Sequence, residues 1–243
     1  MTRPLIRPVR AALNTILKRR GLQIAFEQFE GTERSIYESA SEGIQIKTIF
    51  DVGAYRGEVA KKLLSSFPEA VVHCFEPVSH TYQELLSETR TLNNIYAHHL
   101  ALGSKDDVRE IRLRVLSGTN SLVEGLNQNI STGEPSERVR ITTIDAFCDK
   151  TGIDIVDFIK TDTEGFDLSV LQGGEDTINR GTKFIFSEFG LQEGDLNHTS
   201  LNALWKYLES LRFRLSGIFE PVYDKNGVFE FGNALFVKTG RGL

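Results

Sequence analysis

An α/β fold built on a mostly parallel sheet is what this 243-residue sequence predicts, and three observations carry the prediction. The β-prone run Lys47-Thr48-Ile49-Phe50-Asp51-Val52 meets Gly53-Ala54-Tyr55-Arg56-Gly57 and then a helix-forming stretch over 58–66. A second apolar run, Val71-Val72-His73-Cys74-Phe75, ends in Glu76-Pro77, with Glu76 25 residues after Asp51. The chain closes on two strand-like segments, 213–223 and 228–238, joined around Asp224-Lys225-Asn226-Gly227.

Ile49, Phe50 and Val52 suit a strand buried on both faces. Gly53 removes a Cβ where the backbone must turn sharply, and Gly57 lets the next helix start close to a ligand. An acid at the end of the following strand, at about this spacing, is where a carboxylate that binds a ribose is expected. Together these features describe a nucleoside pocket.

A helix is expected over 79–91, with Ser79 as N-cap and Tyr82, Leu85 and Leu86 on its apolar face. Residues 95–102 read as a third strand that runs into Gly103-Ser104, which gives a βαβαβ order. Residues 108–116 alternate polar and apolar side chains, as in a half-exposed strand of an insertion or a sheet-edge hairpin. From 117 to 137 the composition turns to Gly, Ser, Asn and Thr without periodicity, a loop whose one pointed feature is Thr119-Asn120-Ser121-Leu122.

A short strand over 139–142 and a helix over 144–150 precede a strongly apolar strand over 153–160. That strand ends in Thr161-Asp162-Thr163-Glu164-Gly165-Phe166-Asp167, three carboxylates around one glycine at the ligand-facing edge. Helix capping explains one such acid and not three, so the chemistry is placed here. A helix over 168–179 is interrupted at Gly173-Gly174, a strand over 182–189 carries Glu188 near its end, and 200–211 is an amphipathic helix through Leu201, Leu204, Trp205 and Leu208. Asn226-Gly227 is the hairpin turn. An ordinary dinucleotide-binding domain has no need of a closing hairpin.

The net charge of -5 argues against a nucleic-acid-binding surface as the main feature. Cys74 and Cys148 lack both metal-ligand spacing and disulfide density and are expected as reduced core thiols of a cytoplasmic protein. Arg3, Arg7, Arg10, Lys18, Arg19 and Arg20 precede the first acid, Glu27, and residues 9–20 read as a basic amphipathic helix. It is expected as a lid packed on the domain, with weak contact to an anionic membrane surface as the alternative. The apolar runs are too short for a signal or a membrane span. His98 and His99 are adjacent, so on a strand they point to opposite faces, and His198 reads as a solvated surface histidine.

The segments 50–57, 75–77, Ile144-Asp145, 159–165, Ser187-Glu188-Phe189 and Asn233-Ala234-Leu235-Phe236 together resemble the FkbM family of class I S-adenosylmethionine-dependent methyltransferases. The likeness covers about 46–238, which divides the chain into an N-terminal helical extension, 1–45, and a methyltransferase domain, 46–243. The family pattern has aliphatic residues where Thr161 and Thr163 stand, which makes this turn more polar.

The resemblance implies a Rossmann-like class I methyltransferase fold: a seven-stranded, mostly parallel sheet with a C-terminal antiparallel hairpin. It implies O-methylation of a hydroxyl on a sugar, a glycan or a polyketide-type natural product. S-adenosylmethionine would be held by Asp51, Gly53, Tyr55 and Gly57 on its methionine and ribose side, and by Glu76, followed by Pro77, at the ribose hydroxyls. Ala101 and Leu102 would flank the adenine, with Asn120 and Ser121 closing over it. Asp162 is the expected base, and Glu164 and Glu188 orient the acceptor. A Mg²⁺ ion between Asp162 and Glu188 is the mechanistic alternative. Two further readings compete: a nicotinamide-dependent oxidoreductase, although 53–57 lacks the G-x-G-x-x-G spacing, and a non-catalytic cofactor-binding protein.

Overall fold

The computed structural model describes residues 44–113, 122, 135–192 and 194–239; the N-terminal helix, Asn120 and Ser121 lie outside them. In chain order the elements begin β1 (Thr48–Val52), α1 (Glu58–Ser66), β2 (Val71–Phe75), α2 (Ser79–Thr89), β3 (Ile95–His98), β4 (Ala101–Leu102) and β5 (Asp107–Arg112). There follow β6 (Ser136–Thr142), α3 (Ile144–Thr151), β7 (Phe158–Thr161), α4 (Asp167–Gln172) and α5 (Glu175–Gly181). The chain ends with β8 (Phe184–Gly190), α6 (Leu201–Ser210), β9 (Phe213–Tyr223) and β10 (Phe229–Lys238).

Seven strands form the main sheet in the order β3-β2-β1-β7-β8-β10-β9. β1 pairs in parallel with β2 and β7, and β10 runs antiparallel to both of its neighbours, β8 and β9. The strand order reverses at β1, so the ends of β1, β2 and β7 open a crevice at the carboxyl edge of the sheet, where open α/β sheets bind ligands.

Residues buried on both faces hold the sheet. Phe50, Val52, Phe75, Ile159 and Ile185 pack with Phe147, Leu171 and Leu204 on one side, while Ile49, Val72 and Phe158 pack with Ala60, Leu63 and Leu85 on the other. Each large apolar side chain removed from water contributes about 1.5–3 kcal/mol, so the continuous apolar runs seen in the sequence become the central strands. Cys74 and Cys148 are buried free thiols, and burial pushes the Cys148 thiol up to about 11, so neither is a ready nucleophile.

The closing hairpin turns where the sequence predicted. The Asp224 carboxylate accepts from the amides of Asn226 and Val228, both at 2.8 Å, and Gly227 adopts φ 80. The interruption at Gly173-Gly174 separates α4 from α5.

Two local expectations change. The strand read over 95–102 is two strands, because the main chain turns after His98, with the Leu100 amide donating to the His98 carbonyl at 2.9 Å. Ala101 and Leu102 then pair with Ile141 and Thr142 in a separate sheet ordered β4-β6-β5, whose β5 is the half-exposed strand expected from 108–116. Ser79 is the first helical residue rather than the N-cap, which is Val78, and its side chain bonds Glu137 of β6 instead of its own helix. Among the described residues no helix is long and apolar enough to cross a membrane.

Candidate active site

Gly53 follows β1 with φ 76, and a Cβ there would stand 1.9 Å from the main-chain oxygen of Asp162. The turns after β1 and β7 therefore touch backbone to backbone. The amides of Gly53 and Ala54 both donate to the Phe75 carbonyl at 3.1 Å, which adds the end of β2 to the same knot. Tyr55 takes a left-handed φ of 49, and this aims its amide at Glu76.

The Glu76 carboxylate is fixed by three donors. Oε2 accepts from the Tyr55 amide at 3.1 Å, and Oε1 accepts from the Val78 amide and the Thr81 hydroxyl, each at 2.9 Å. Burial raises this carboxyl above its ordinary value, and the donors pull it back. Oε2 has one protein donor, which leaves it acceptor capacity for a ligand hydroxyl.

A cavity of about 290 Å³ opens over these turns. Gly53, Tyr55, Glu76 and Pro77 line one side of it, and Ala101 and Leu102 line another. Asp162, Glu164 and Glu188 line it from the ends of β7 and β8, so the structure brings nine of the sequence-selected residues around one cavity. Ile111 and Leu122 of the smaller sheet and its loop add an apolar cover.

Asp51 and Gly57 do not line the cavity. Side chains alternate along a strand, and with Val52 facing the cavity Asp51 points the other way. Asp51 is fully buried, with Oδ1 3.2 Å from the Lys160 ammonium. Gly57 is the N-cap of α1 and packs against Leu85 and Thr89. Both residues hold the turn from behind rather than face a ligand.

The electrostatics of the wall are one-sided. Glu76, Asp162, Glu164 and Glu188 line the cavity, and among its described lining residues there is no Lys, Arg or His. Lys160 lies behind, 3.2 Å from Asp51 and 3.5 Å from Asp162. Burial works against its charge, but Asp51, Asp162 and Asp167 outweigh that and hold the ammonium above the ordinary lysine value. Burial also raises the Asp51 and Asp167 carboxyls, with Lys160 offsetting part of the rise at Asp51.

Glu188 is strongly perturbed. Burial, together with the charges of Asp162, Asp167 and Glu164, pushes its carboxyl up to about 10, so it carries a proton at neutral pH. Asp162 has 42% of its side chain exposed and lies 3.5 Å from the Lys160 ammonium. The polar residues at 161 and 163 divide in role: the Thr161 hydroxyl donates to Ser187 at 2.8 Å, whereas the Thr163 hydroxyl is buried without a hydrogen-bond partner. Oε2 of Glu188 is likewise buried and unpaired. Two orphaned polar atoms on residues of one cavity wall fit a site completed by a ligand.

His198 is the residue that sequence reasoning missed. Instead of a solvated surface position it has only 14% of its side chain exposed, stacked on Phe231 with ring centroids 4.2 Å apart. Nδ1 lies 2.6 Å from Oδ2 of Asp195, and Nε2 lies 4.0 Å from Oε1 of Glu188. The available signal was an acid three residues before a histidine, in a short loop after the strand that carries Glu188. Among the described residues no three His, Cys, Asp or Glu side chains are grouped so as to hold a metal ion.

A seven-stranded sheet with its one reversed strand next to the edge, and an anchored acid at the end of the second strand, defines a class I methyltransferase fold. Residues 51–215 match the methyltransferase FkbM domain, and the chain belongs to that family. It is 25% identical over 176 residues to the 2-O-methyltransferase NoeI of Sinorhizobium fredii, covering 67% of this chain and 71% of that protein. It superposes on the crystal structure of methyltransferase FkbM from Methylobacillus flagellatus with a TM-score of 0.53 and 19% identity, over 79% of this chain. The match spans 44% of the Methylobacillus chain, so the present chain corresponds to less than half of that protein.

Proposed function

We propose that this methyltransferase uses S-adenosylmethionine to methylate a hydroxyl of a sugar, a glycan or a polyketide-type natural product. The observation that carries the reading is the cavity wall of four carboxyl groups with no cationic side chain among the described lining residues. Such a wall favours a ligand with fixed positive charge, and it disfavours the pyrophosphate of a nicotinamide dinucleotide and the backbone of a nucleic acid. S-adenosylmethionine, when bound, supplies a methyl group on a positively charged sulfonium.

The residues of the chain divide the remaining work. Glu76 accepts from the ribose hydroxyls, Gly53 and Tyr55 form the turn on the methionine side, and Ala101 and Leu102 give the adenine an apolar flank. Asp162 and Glu164 orient the acceptor, while Glu188, buried and crowded by carboxylates, combines access to the cavity with raised basicity. The NoeI relative is a 2-O-methyltransferase, which supports oxygen as the acceptor atom. Magnesium shared by Asp162 and Glu188 is the weaker version, because the Lys160 ammonium already lies 3.5 Å from Asp162 and Glu188 is pushed toward its neutral form.

Calorimetric titration with S-adenosylhomocysteine, with NADH and NADPH as controls, tests the reading. Binding of the first alone is expected, followed by methylation in a screen of monosaccharides, oligosaccharides and polyketide alcohols that persists in EDTA. Binding of a nicotinamide cofactor alone would overturn it, and turnover lost in EDTA but restored by Mg²⁺ would assign the metal version.

A further inference from the structure

Methylation of an alcohol releases a proton, and the group nearest the cavity already holds one. Glu188 lines the cavity, but a carboxyl pushed up to about 10 is mostly protonated at neutral pH. As a lone base it would be in the wrong state. A carboxylic acid can nevertheless take a proton on one oxygen while releasing one from the other, provided that the second oxygen faces an acceptor.

The geometry supplies that acceptor. Oε1 of Glu188 faces Nε2 of His198 at 4.0 Å, and Oε2 has no hydrogen-bond partner among the described residues. Nδ1 lies 2.6 Å from Asp195, a carboxylate that can only accept, so in the neutral ring the proton sits on Nδ1 and Nε2 is the bare nitrogen. A separation of 4.0 Å exceeds a hydrogen bond by about one side-chain adjustment, and catalytic hydrogen bonds commonly tighten when the site is loaded.

The loop is built to hold this pair in place. Asp195 Oδ1 accepts from the Asn197 amide at 2.9 Å, and the Gly190 amide donates to the Thr199 carbonyl at 2.9 Å. The Thr199 hydroxyl donates to Asp167 at 3.2 Å, tying the loop to α4. A Cβ on Gly190 would stand 2.8 Å from the Cβ of His198 and 3.0 Å from Oδ2 of Asp195, so the histidine and its acid pack directly on the end of β8. An ordinary surface loop requires none of these contacts.

We infer that the proton leaving the acceptor hydroxyl passes through the Glu188 carboxyl to Nε2 of His198, with Asp195 fixing the ring and balancing the resulting charge. The inference rests on the methyl-transfer reading above. The acceptor oxygen forms its bond to the methyl carbon, the carbon–sulfur bond breaks with its electron pair left on sulfur, and the O–H electron pair stays on oxygen. The hydroxyl proton adds to one oxygen of Glu188, and the proton already on the carboxyl moves to Nε2, so one proton leaves the acceptor and one arrives on the imidazole. His198 is a positioning and relay residue rather than one that touches the acceptor.

Among the described residues, the charged groups set around this pair are Asp162, Glu164, Asp167 and Lys160 on the β7 side and Asp195 in the loop. From β10, Phe231 stacks on His198, and Asn233 lies opposite Glu188 with its amide donating to Glu220 of β9 at 2.7 Å.

The test uses the 243-residue chain, labelled with ¹⁵N-histidine and saturated with S-adenosylhomocysteine. At pH 7 the His198 ring is expected to carry its proton on Nδ1 with Nε2 bare, and its Nε2 signal to shift in Glu188→Gln, which replaces the acid O–H facing that nitrogen by an amide. With a saccharide acceptor from the screen, His198→Ala is expected to lower kcat by about 100-fold at unchanged KM, the scale of a general base, with partial rescue by added imidazole. Asp195→Asn should give a smaller loss. A His198 ring protonated at Nε2, an Nε2 signal unmoved by Glu188→Gln, or a His198→Ala enzyme within a few-fold of the parent overturns the relay and leaves the methyl-transfer reading standing. Absence of S-adenosylhomocysteine binding overturns both.

Discussion

The main-chain amide of Tyr55 donates to Oε2 of Glu76 at 3.1 Å, which joins the turn after β1 to the end of β2 through a single carboxylate. Because Oε1 is committed to Val78 and Thr81, removal of this side chain leaves the Tyr55 and Val78 amides without their acceptor as well as taking away the group offered to a ribose, while the Thr81 hydroxyl keeps the Val78 carbonyl at 3.1 Å. Glu76→Ala is expected to weaken S-adenosylhomocysteine binding by about 10- to 100-fold, the worth of one or two hydrogen bonds to a charged acceptor. Calorimetry measures the affinity. An unchanged Kd would place the ribose elsewhere.

The contact between Gly53 and Asp162 predicts a different kind of loss. Both Gly53 and Gly227 adopt positive φ, 76 and 80, so alanine at either position carries the left-handed penalty of about 1–2 kcal/mol. A Cβ at Gly227 meets nothing within 4 Å, whereas at Gly53 it would stand 1.9 Å from backbone that cannot rotate away. Gly227→Ala is therefore expected to lower Tm by a few degrees, and Gly53→Ala to lower it far more or to abolish folding. Thermal melts of the two variants side by side separate strain from collision.

What could be read from the sequence was whatever local pattern decides. β1, β2, β7 and β8 are apolar runs that end in glycine or acid, and the Asp224 to Gly227 turn is set by its own side chains, so each was visible without its partners. The failures are contacts across long stretches of chain. Asp51 was placed on the cofactor by the family resemblance; the Lys160 ammonium that pairs with it belongs to another strand. His198 was taken for a surface residue because its neighbours in sequence are polar; Phe231, on a strand formed later in the chain, supplies the face that buries it. Residues 101 and 102 continued an apolar run, and only the arrival of β6 decides that they leave the main sheet. The acids at 162, 164 and 188 were legible as a group. Their division of labour was not, because it depends on which of them burial reaches, and burial falls on Glu188 more than on Asp162.

That division gives a stability prediction with a definite sign. An unfolded glutamate titrates near 4.5, while in the folded protein burial and the neighbouring carboxylates raise Glu188 to about 10. Between these values the unfolded chain has lost a proton that the folded protein still holds. Stability contributed by this group is therefore fully present below pH 4.5 and declines as pH rises through the window, by up to about 1.4 kcal/mol per pH unit. Glu188→Gln keeps the shape of the protonated acid and removes its titration. Without cofactor, the variant is expected to melt near the parent at pH 4 and increasingly above it from pH 5 to pH 8. The raised carboxyls of Asp51, Glu76 and Asp167 are common to both proteins, so to first order they cancel in the difference. Parallel Tm curves across that range would mean that Glu188 is ionised in the folded protein, and the charge balance at the end of β8 would then rest on His198 as imidazolium.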